Sequence, residues 1–162
     1  MPKRLWQTME NNPLFNKVLR FVSIRPRSKK EISDYIKTKL YKKRTPDEID
    51  KDILGIMQSL EELNLVNDEF FARSFIEWRL ASSNPKGFRI IRGELLVKGV
   101  DKCLVEELLG DEEYKEMEKK AAEKVVLKKS RNYKDPRALK NYVFSRGFSQ
   151  AAVVFACGRG GI

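Results

Sequence analysis

The side chains in this sequence best suited to chemistry are cations, which bind anions. One cluster lies at a predicted helix start, where free backbone amides attract anions although cationic side chains oppose the helix dipole. Cations held at the positive end of a helix dipole repel it, and an anionic ligand bound between them would relieve this repulsion. The cluster therefore indicates an anion-binding site. The candidate contacts with phosphate or an acidic protein surface are Arg25, Arg27, Lys29 and Lys30 in the first cluster, Arg89 and Arg92 in the second, and Lys128, Lys129, Arg131, Lys134 and Arg137 in the third.

Residues able to catalyse a reaction are scarce. The sequence contains no histidine, so the commonest general base and neutral metal ligand is missing. Ser83 and Lys86 have the Ser-x-x-Lys spacing of one hydrolase class, but the other motifs of that class are absent. The sequence also lacks the glycine-rich loops that bind nucleotides. We therefore predict no catalytic residue, no metal site, no cofactor and no enzymatic activity.

The two cysteines, Cys103 and Cys157, show neither disulfide-framework nor metal-ligand spacing, and we expect reduced, buried thiols. The N-terminus lacks the apolar core of a secretory signal, and no apolar run approaches the roughly 20 residues that span a bilayer. These features predict a soluble, cytoplasmic monomer without membrane contact.

The formal net charge of +10 is unevenly distributed along the chain. Residues 1–44 have a net charge of +10, residues 45–84 of −6, residues 85–110 of +1 and residues 111–162 of +5. A basic beginning and end around an acidic middle indicate a polyanionic partner, or one with surface patches of both signs.

A short turn that occurs twice indicates how these residues are positioned. Lys98-Gly99-Val100-Asp101 recurs as Arg146-Gly147-Phe148-Ser149. The glycine permits the positive φ angle that closes a helix, the cation favours the helix C-terminus, and Asp101 or Ser149 can cap the next helix. A helical hairpin present twice predicts a modular, all-α protein.

Helix signals divide the first part of the chain into three helices. Arg25-Pro26-Arg27 ends one helix, and Ser28–Glu31 and Thr45–Glu48 are capping boxes that begin the next two. The basic loop Tyr41–Arg44 joins the second and third helices of this first module. The predicted apolar faces contain Leu14, Val18 and Phe21, then Ile32, Tyr35, Ile36 and Leu40, then Ile49, Ile53, Ile56, Leu60 and Leu63.

The same analysis predicts two further modules. Phe71, Phe75 and Trp78 share helical spacing and are expected in the core. The predicted fold is an elongated, tandem array of three helix-turn-helix-like, three-helix repeats. It comprises an N-terminal extension (1–12), repeats at 13–66, 67–110 and 111–158, and a frayed C-terminus (159–162).

Three segments resemble the RecX family of bacterial recombination regulators: Arg27–Ile32, Leu65–Ala72 with Phe75-Ile76, and Ile91–Leu95 followed by Lys98-Gly99-Val100. Arg146–Ser149 fits as well, so that the resemblance covers about residues 14 to 157. It implies an array of three-helix repeats that binds the RecA recombinase filament on single-stranded DNA. It further implies restraint of ATP hydrolysis and strand exchange, and hence a role in DNA repair and the SOS response.

The three-helix units also allow a second hypothesis, a stand-alone DNA-binding protein of helix-turn-helix type. Its recognition helix would need polar, base-reading side chains. Lys102 and Glu106 could serve in the second repeat, whereas residues 151–154 of the third are apolar. The pattern therefore favours filament binding, with single-stranded DNA contacted indirectly or by weak direct binding.

Overall fold

The computed structural model of this chain describes residues 11–159, and helices are the only regular secondary structure in this part. The predicted all-α fold is thereby confirmed. None of the described helices is both long enough and apolar enough to cross a membrane. The helices are α1 (Pro13–Ile24), α2 (Lys29–Leu40), α3 (Pro46–Glu62), α4 (Asp68–Ala81), α5 (Phe88–Val97), α6 (Lys102–Gly110), α7 (Glu112–Lys129), a 3-10 turn (Ser130–Asn132), α8 (Pro136–Ser145) and α9 (Gln150–Arg159).

The helices form two compact units, and the division falls inside α4. The first unit contains the described residues up to Ala72 together with Lys98–Val100. The second contains Arg73–Val97 and the described residues from Asp101 onward. The three repeat boundaries and the elongated form remain predictions. Residues 1–10 and 160–162 lie outside the described range, so most of the predicted extension and frayed end is not described; Arg159 itself belongs to α9.

The first unit has a core made by the predicted faces of α1, α2 and α3. The Ser28–Glu31 capping box is confirmed: the Glu31 amide donates to Ser28 Oγ at 3.1 Å, and the Ser28 amide donates to the Glu31 carboxylate at 3.2 Å. At α3, the Glu48 carboxylate accepts from the Thr45 amide at 2.8 Å. The buried apolar cluster is Phe15, Val18, Ile32, Ile36, Leu40, Ile49, Ile56, Leu60 and Val66.

The second unit contains most of α4 and the helices α5 to α9, and short polar side chains cap the starts of four of these helices, including the predicted caps Asp101 and Ser149. Asp101, Asp111 and Asp135 accept hydrogen bonds from the first turns of α6, α7 and α8, and Ser149 accepts from the Ala152 amide. The buried apolar residues include Ile76, Leu80, Ile91, Leu95, Val105, Leu108, Ala122, Val126, Leu139, Val143, Phe148 and Ala152.

The repeated glycine turn has the predicted geometry. Gly99 and Gly147 have φ angles of 80° and 89°, in the left-handed region that favours glycine. A carbonyl of each turn also accepts a hydrogen bond from the residue that immediately precedes an earlier helix. In the first unit, Ser28 Oγ donates to the Lys98 carbonyl at 2.7 Å. In the second, the Gly87 amide donates to the Arg146 carbonyl at 3.0 Å. The turn thus both ends a helix and binds a neighbouring segment by a hydrogen bond.

Two predictions about burial are wrong. Trp78 is 58% exposed, because the buried face of α4 extends from Phe71 through Ala72 and Ile76 to Leu80, and Trp78 lies just beyond Phe71, at the edge of that face. Cys103 is exposed, because it lies about 200° around α6 from the buried Val105. Cys157 is buried as predicted, and burial raises the pKa of its thiol.

Candidate functional site

The first cationic cluster lies at the turn between α1 and α2, and most of its charge is matched within the protein. Arg25 pairs with Glu31 at 3.0 Å, and Lys29 pairs with Glu61 at 2.6 Å. The Arg27 guanidinium lies 3.9 Å from the centre of the Phe21 ring. The conflict between these cations and the helix dipole is therefore reduced by neighbouring carboxylates and an aromatic ring.

The ionisation of these groups follows from their partners. The hydrogen bond with Glu61 raises the pKa of Lys29 and stabilises its charged form. Burial and the nearby Arg25 charge lower the pKa of Arg27. Burial alone would raise the pKa of Glu31, but its bonds with Lys98, Arg25 and the Ser28 amide lower it below its ordinary value.

These contacts predict acid sensitivity of the first unit. Because the pKa of folded Glu31 lies below the ordinary 4.5, its stabilising contribution is present above that value and is lost as the pH falls through the folded pKa. We expect Glu31→Gln to reduce the free energy of unfolding by about 1–2 kcal/mol at neutral pH. Urea unfolding from neutral pH to about pH 3 should show a smaller loss in Glu31→Gln than in wild type; parallel pH profiles would contradict the prediction.

A groove, which we call the Phe70 groove, lies beside this cluster within the first unit. It has a volume of about 420 Å³. Phe70 is 61% exposed, and Arg27 adds a guanidinium to the apolar wall. This combination can accept a flat apolar group next to an anion. The lining residues are Pro26, Arg27, Asn64, Leu65, Asn67 and Phe70.

The sequence did not predict the Phe70 groove. Its residues come from the turn before α2, from the segment between α3 and α4, which the sequence marks only as a boundary, and from the first turn of α4. Asn64 has a φ angle of 54°, and this left-handed residue turns the chain after α3. Only the packing of the two segments shows that Arg27 and Phe70 line one groove.

The second cationic cluster is held within the second unit. Arg89 donates to the Phe144 carbonyl at 3.1 Å, and its guanidinium lies 5.3 Å from the Phe144 ring centre. Arg92 pairs with Glu106 at 2.9 Å. Both cations therefore have structural contacts that account for their positions.

The third cluster differs from the first two because several of its cations form no ion pair with a carboxylate of the described residues. Lys128 donates to the Ser83 carbonyl at 3.4 Å, and Lys129 Nζ lies 5.8 Å from the Tyr142 ring centre. Arg131, Lys134 and Arg137 are exposed on and after the 3-10 turn, and no carboxylate in residues 11–159 forms an ion pair with them. These three cations offer the least compensated charge among the predicted contacts.

Comparison with known proteins gives a consistent set of relatives. Residues 67–109 match the model of the second three-helix domain of RecX. The chain is 32% identical to the regulatory protein RecX of Oceanobacillus iheyensis over 83% of the chain and 48% of that protein. It is 30% identical to the regulatory protein RecX of Bacillus subtilis over 72% of the chain and 42% of that protein. The chain thus spans about half the length of these curated relatives.

Two solved structures share the fold. The crystal structure of RecX from Lactobacillus salivarius superposes with a TM-score of 0.66 at 24% identity, covering 90% of this chain and 93% of that one. A second crystal structure, of a regulatory protein RecX, gives a TM-score of 0.65 at 23% identity over 88% of this chain and 69% of that one.

Proposed function

We propose, on the premise that this chain belongs to the RecX family, that it is a non-enzymatic regulator of the RecA recombinase. It binds the RecA filament on single-stranded DNA and inhibits ATP hydrolysis and strand exchange. Its place of action is the cytoplasm, where it limits recombination during DNA repair and the SOS response. It acts as a monomer and requires no cofactor.

The observation that best supports this proposal is the uncompensated charge of the third cluster. Arg131, Lys134 and Arg137 are exposed in a segment, residues 111–162, whose net charge is +5. For exposed cations without internal partners, replacing bound water by phosphate or carboxylate costs little free energy. The release of counterions favours this replacement. A DNA–protein filament presents both kinds of anion along its length.

The proposed mechanism depends on the predicted series of similar helical repeats along the chain. Successive helical repeats can contact successive protomers of a filament, so that weak individual contacts add up to tight binding. A ligand bound in this way favours one filament conformation and opposes the subunit changes that accompany ATP turnover. It also obstructs the approach of duplex DNA, which would reduce strand exchange.

The direct test measures RecA ATPase activity on single-stranded DNA, and strand exchange, as this protein is added. We expect both rates to fall as filament binding saturates. A pull-down with filament, RecA alone and bare single-stranded DNA separates the possible contacts. Unchanged rates at saturating filament occupancy would refute the proposal. Tight, sequence-selective binding to naked duplex DNA would instead support the helix-turn-helix alternative.

The third cluster gives a specific prediction. We expect the combined variant Arg131→Gln, Lys134→Gln and Arg137→Gln to bind the filament at least about tenfold more weakly at physiological salt, with a shallower salt dependence. The three side chains are exposed, so the free energy of unfolding should change by less than about 1 kcal/mol. Fluorescence anisotropy with labelled filament measures the affinity.

A matched variant removes three other exposed lysines of the second unit, Lys102, Lys120 and Lys124, by substitution with glutamine. It has the same net charge as the third-cluster variant. Equal weakening by both variants would show a general charge effect and would contradict a specific contact at the third cluster.

A further inference from the structure

A cation-rich segment at the end of α2 presents an exposed aromatic ring. Residues 37–44, here called the Tyr41 segment, include five cations and no carboxylate. Tyr41 is 64% exposed, although it directly follows the buried Leu40. Lys42 Nζ lies 5.4 Å from the centre of the Tyr41 ring. The segment therefore places an accessible aromatic face beside several positive charges.

The backbone of this segment is held in place. The amides of Tyr41, Lys43 and Arg44 donate to the carbonyls of Lys37 and Leu40 over distances of 2.7–3.1 Å. Arg44 also pairs with Asp52 at 3.3 Å. These bonds fix the chain on both sides of the Tyr41 ring, so that binding a ligand there would require little ordering of the backbone.

The folding of the first unit does not account for all the cations of the Tyr41 segment or for its exposed tyrosine. Lys37 and Lys39 lie in the last turn of α2, where cations favour the helix dipole. Lys42 and Lys43 follow the helix end, are exposed and form no ion pair with any carboxylate of residues 11–159. An exposed tyrosine adds no core packing either. Neither ion pairing within residues 11–159 nor core packing therefore explains these two lysines and the aromatic ring.

We propose that the Tyr41 segment is a direct binding site for single-stranded nucleic acid. A base stacks on the Tyr41 ring while Lys42 and Lys43 contact the flanking phosphates. Stacking requires an unpaired base with a free face, and lysines recognise the phosphates without regard to sequence. The inference deepens the proposed function and rests on it only for the choice of single-stranded DNA as the ligand.

The test uses the full chain without recombinase and a fluorescein-labelled oligothymidylate of about 16 nucleotides. We expect Tyr41→Ala to weaken binding by about 5- to 100-fold, and Tyr41→Phe, which keeps the ring, to stay within about twofold of wild type. The variant Lys42→Gln with Lys43→Gln should flatten the slope of log affinity against log salt by about 1.4. Circular dichroism confirms that the variants are folded.

The control for charge is Lys102→Gln with Lys120→Gln, which removes two exposed lysines of the second unit. A smaller effect of this pair supports the site, whereas an equal effect overturns it. Absence of oligonucleotide binding by wild type, or equal affinity of Tyr41→Ala and wild type, also overturns it. So does equal binding of duplex DNA of the same length, because paired bases cannot stack on Tyr41.

The two proposals fail separately. If the oligonucleotide binds through Tyr41 but RecA activity is unchanged, the Tyr41 site stands and the proposed regulatory function fails. If RecA is inhibited but Tyr41→Ala binds the oligonucleotide as wild type does, the regulatory function stands and the Tyr41 site fails.

Discussion

Replacement of Glu118 by alanine is expected to destabilise the second unit by about 3–5 kcal/mol, which is a large part of the stability of an ordinary domain. Glu118 is 1% exposed and lies in α7. Its Oε1 accepts from the Phe88 amide at 2.8 Å and from the Ser149 amide at 3.0 Å, and its Oε2 accepts from Ser149 Oγ at 2.6 Å.

The size of this effect follows from the position of the carboxylate. It lies at the starts of α5 and α9, where backbone amides have no partner within the helix and the dipoles favour negative charge. Among the described residues no cation forms an ion pair with it, so these donors and dipoles are what stabilise the buried group. Alanine would leave three donors unsatisfied and open a cavity.

The measurement is chemical and thermal unfolding followed by circular dichroism, and we expect a melting temperature lower by roughly 10 °C. Glu118→Gln is the matched control. Its amide oxygen can accept from both backbone amides, and Ser149 Oγ can rotate to accept from the amide nitrogen. This variant should lose no more than about 2 kcal/mol. A loss below about 1 kcal/mol in Glu118→Ala would contradict the prediction.

Replacement of Gly87 by alanine is expected to cost about 3 kcal/mol or more. A Cβ atom at this position would lie 2.1 Å from the Phe148 nitrogen and 2.3 Å from the Gly147 carbonyl carbon. Both are backbone atoms, so no side-chain rotation relieves the overlap. The segments would have to separate, which would break the bonds from the Gly87 amide to the Arg146 carbonyl and from the Arg89 amide to the Gly147 carbonyl.

Gly93→Ala is the control, since Gly93 lies within α5, the helix that Gly87 immediately precedes, and nothing lies within 4 Å of a Cβ atom placed there. Alanine there should stabilise the helix by up to about 1 kcal/mol. Urea unfolding of the two variants should therefore shift in opposite directions. A Gly87→Ala midpoint equal to that of wild type would show that the two segments are not in close contact.

Local features of the fold followed from the sequence. The capping box of α2, the glycine turns and the apolar faces involve residues close together in the chain, and their geometry depends on backbone torsions and helical period. Predictions near the edge of a face were less successful. Trp78 has the spacing of a core residue, yet it lies outside the stripe through Ile76 and is exposed.

The candidate sites were only partly predictable. The sequence locates cations, but it cannot show which carboxylate lies beside each one. Lys29 and Glu61 are 32 positions apart, and their ion pair exists because α2 and α3 pack together. For the same reason the sequence could not show that Arg131 has no carboxylate partner in residues 11–159, nor that the residues of the Phe70 groove lie together. Both depend on which segments the fold brings together.

The sequence alone determined the helices, their caps and the overall basic charge, because these properties depend on residue type and on neighbours within a few positions. The tertiary structure decided which cations are neutralised and which are free. It also decided that Glu118 connects two helix starts and that Gly87 admits no side chain. These outcomes depend on contacts between residues that are distant in the chain, and only the packing of helices brings such residues together.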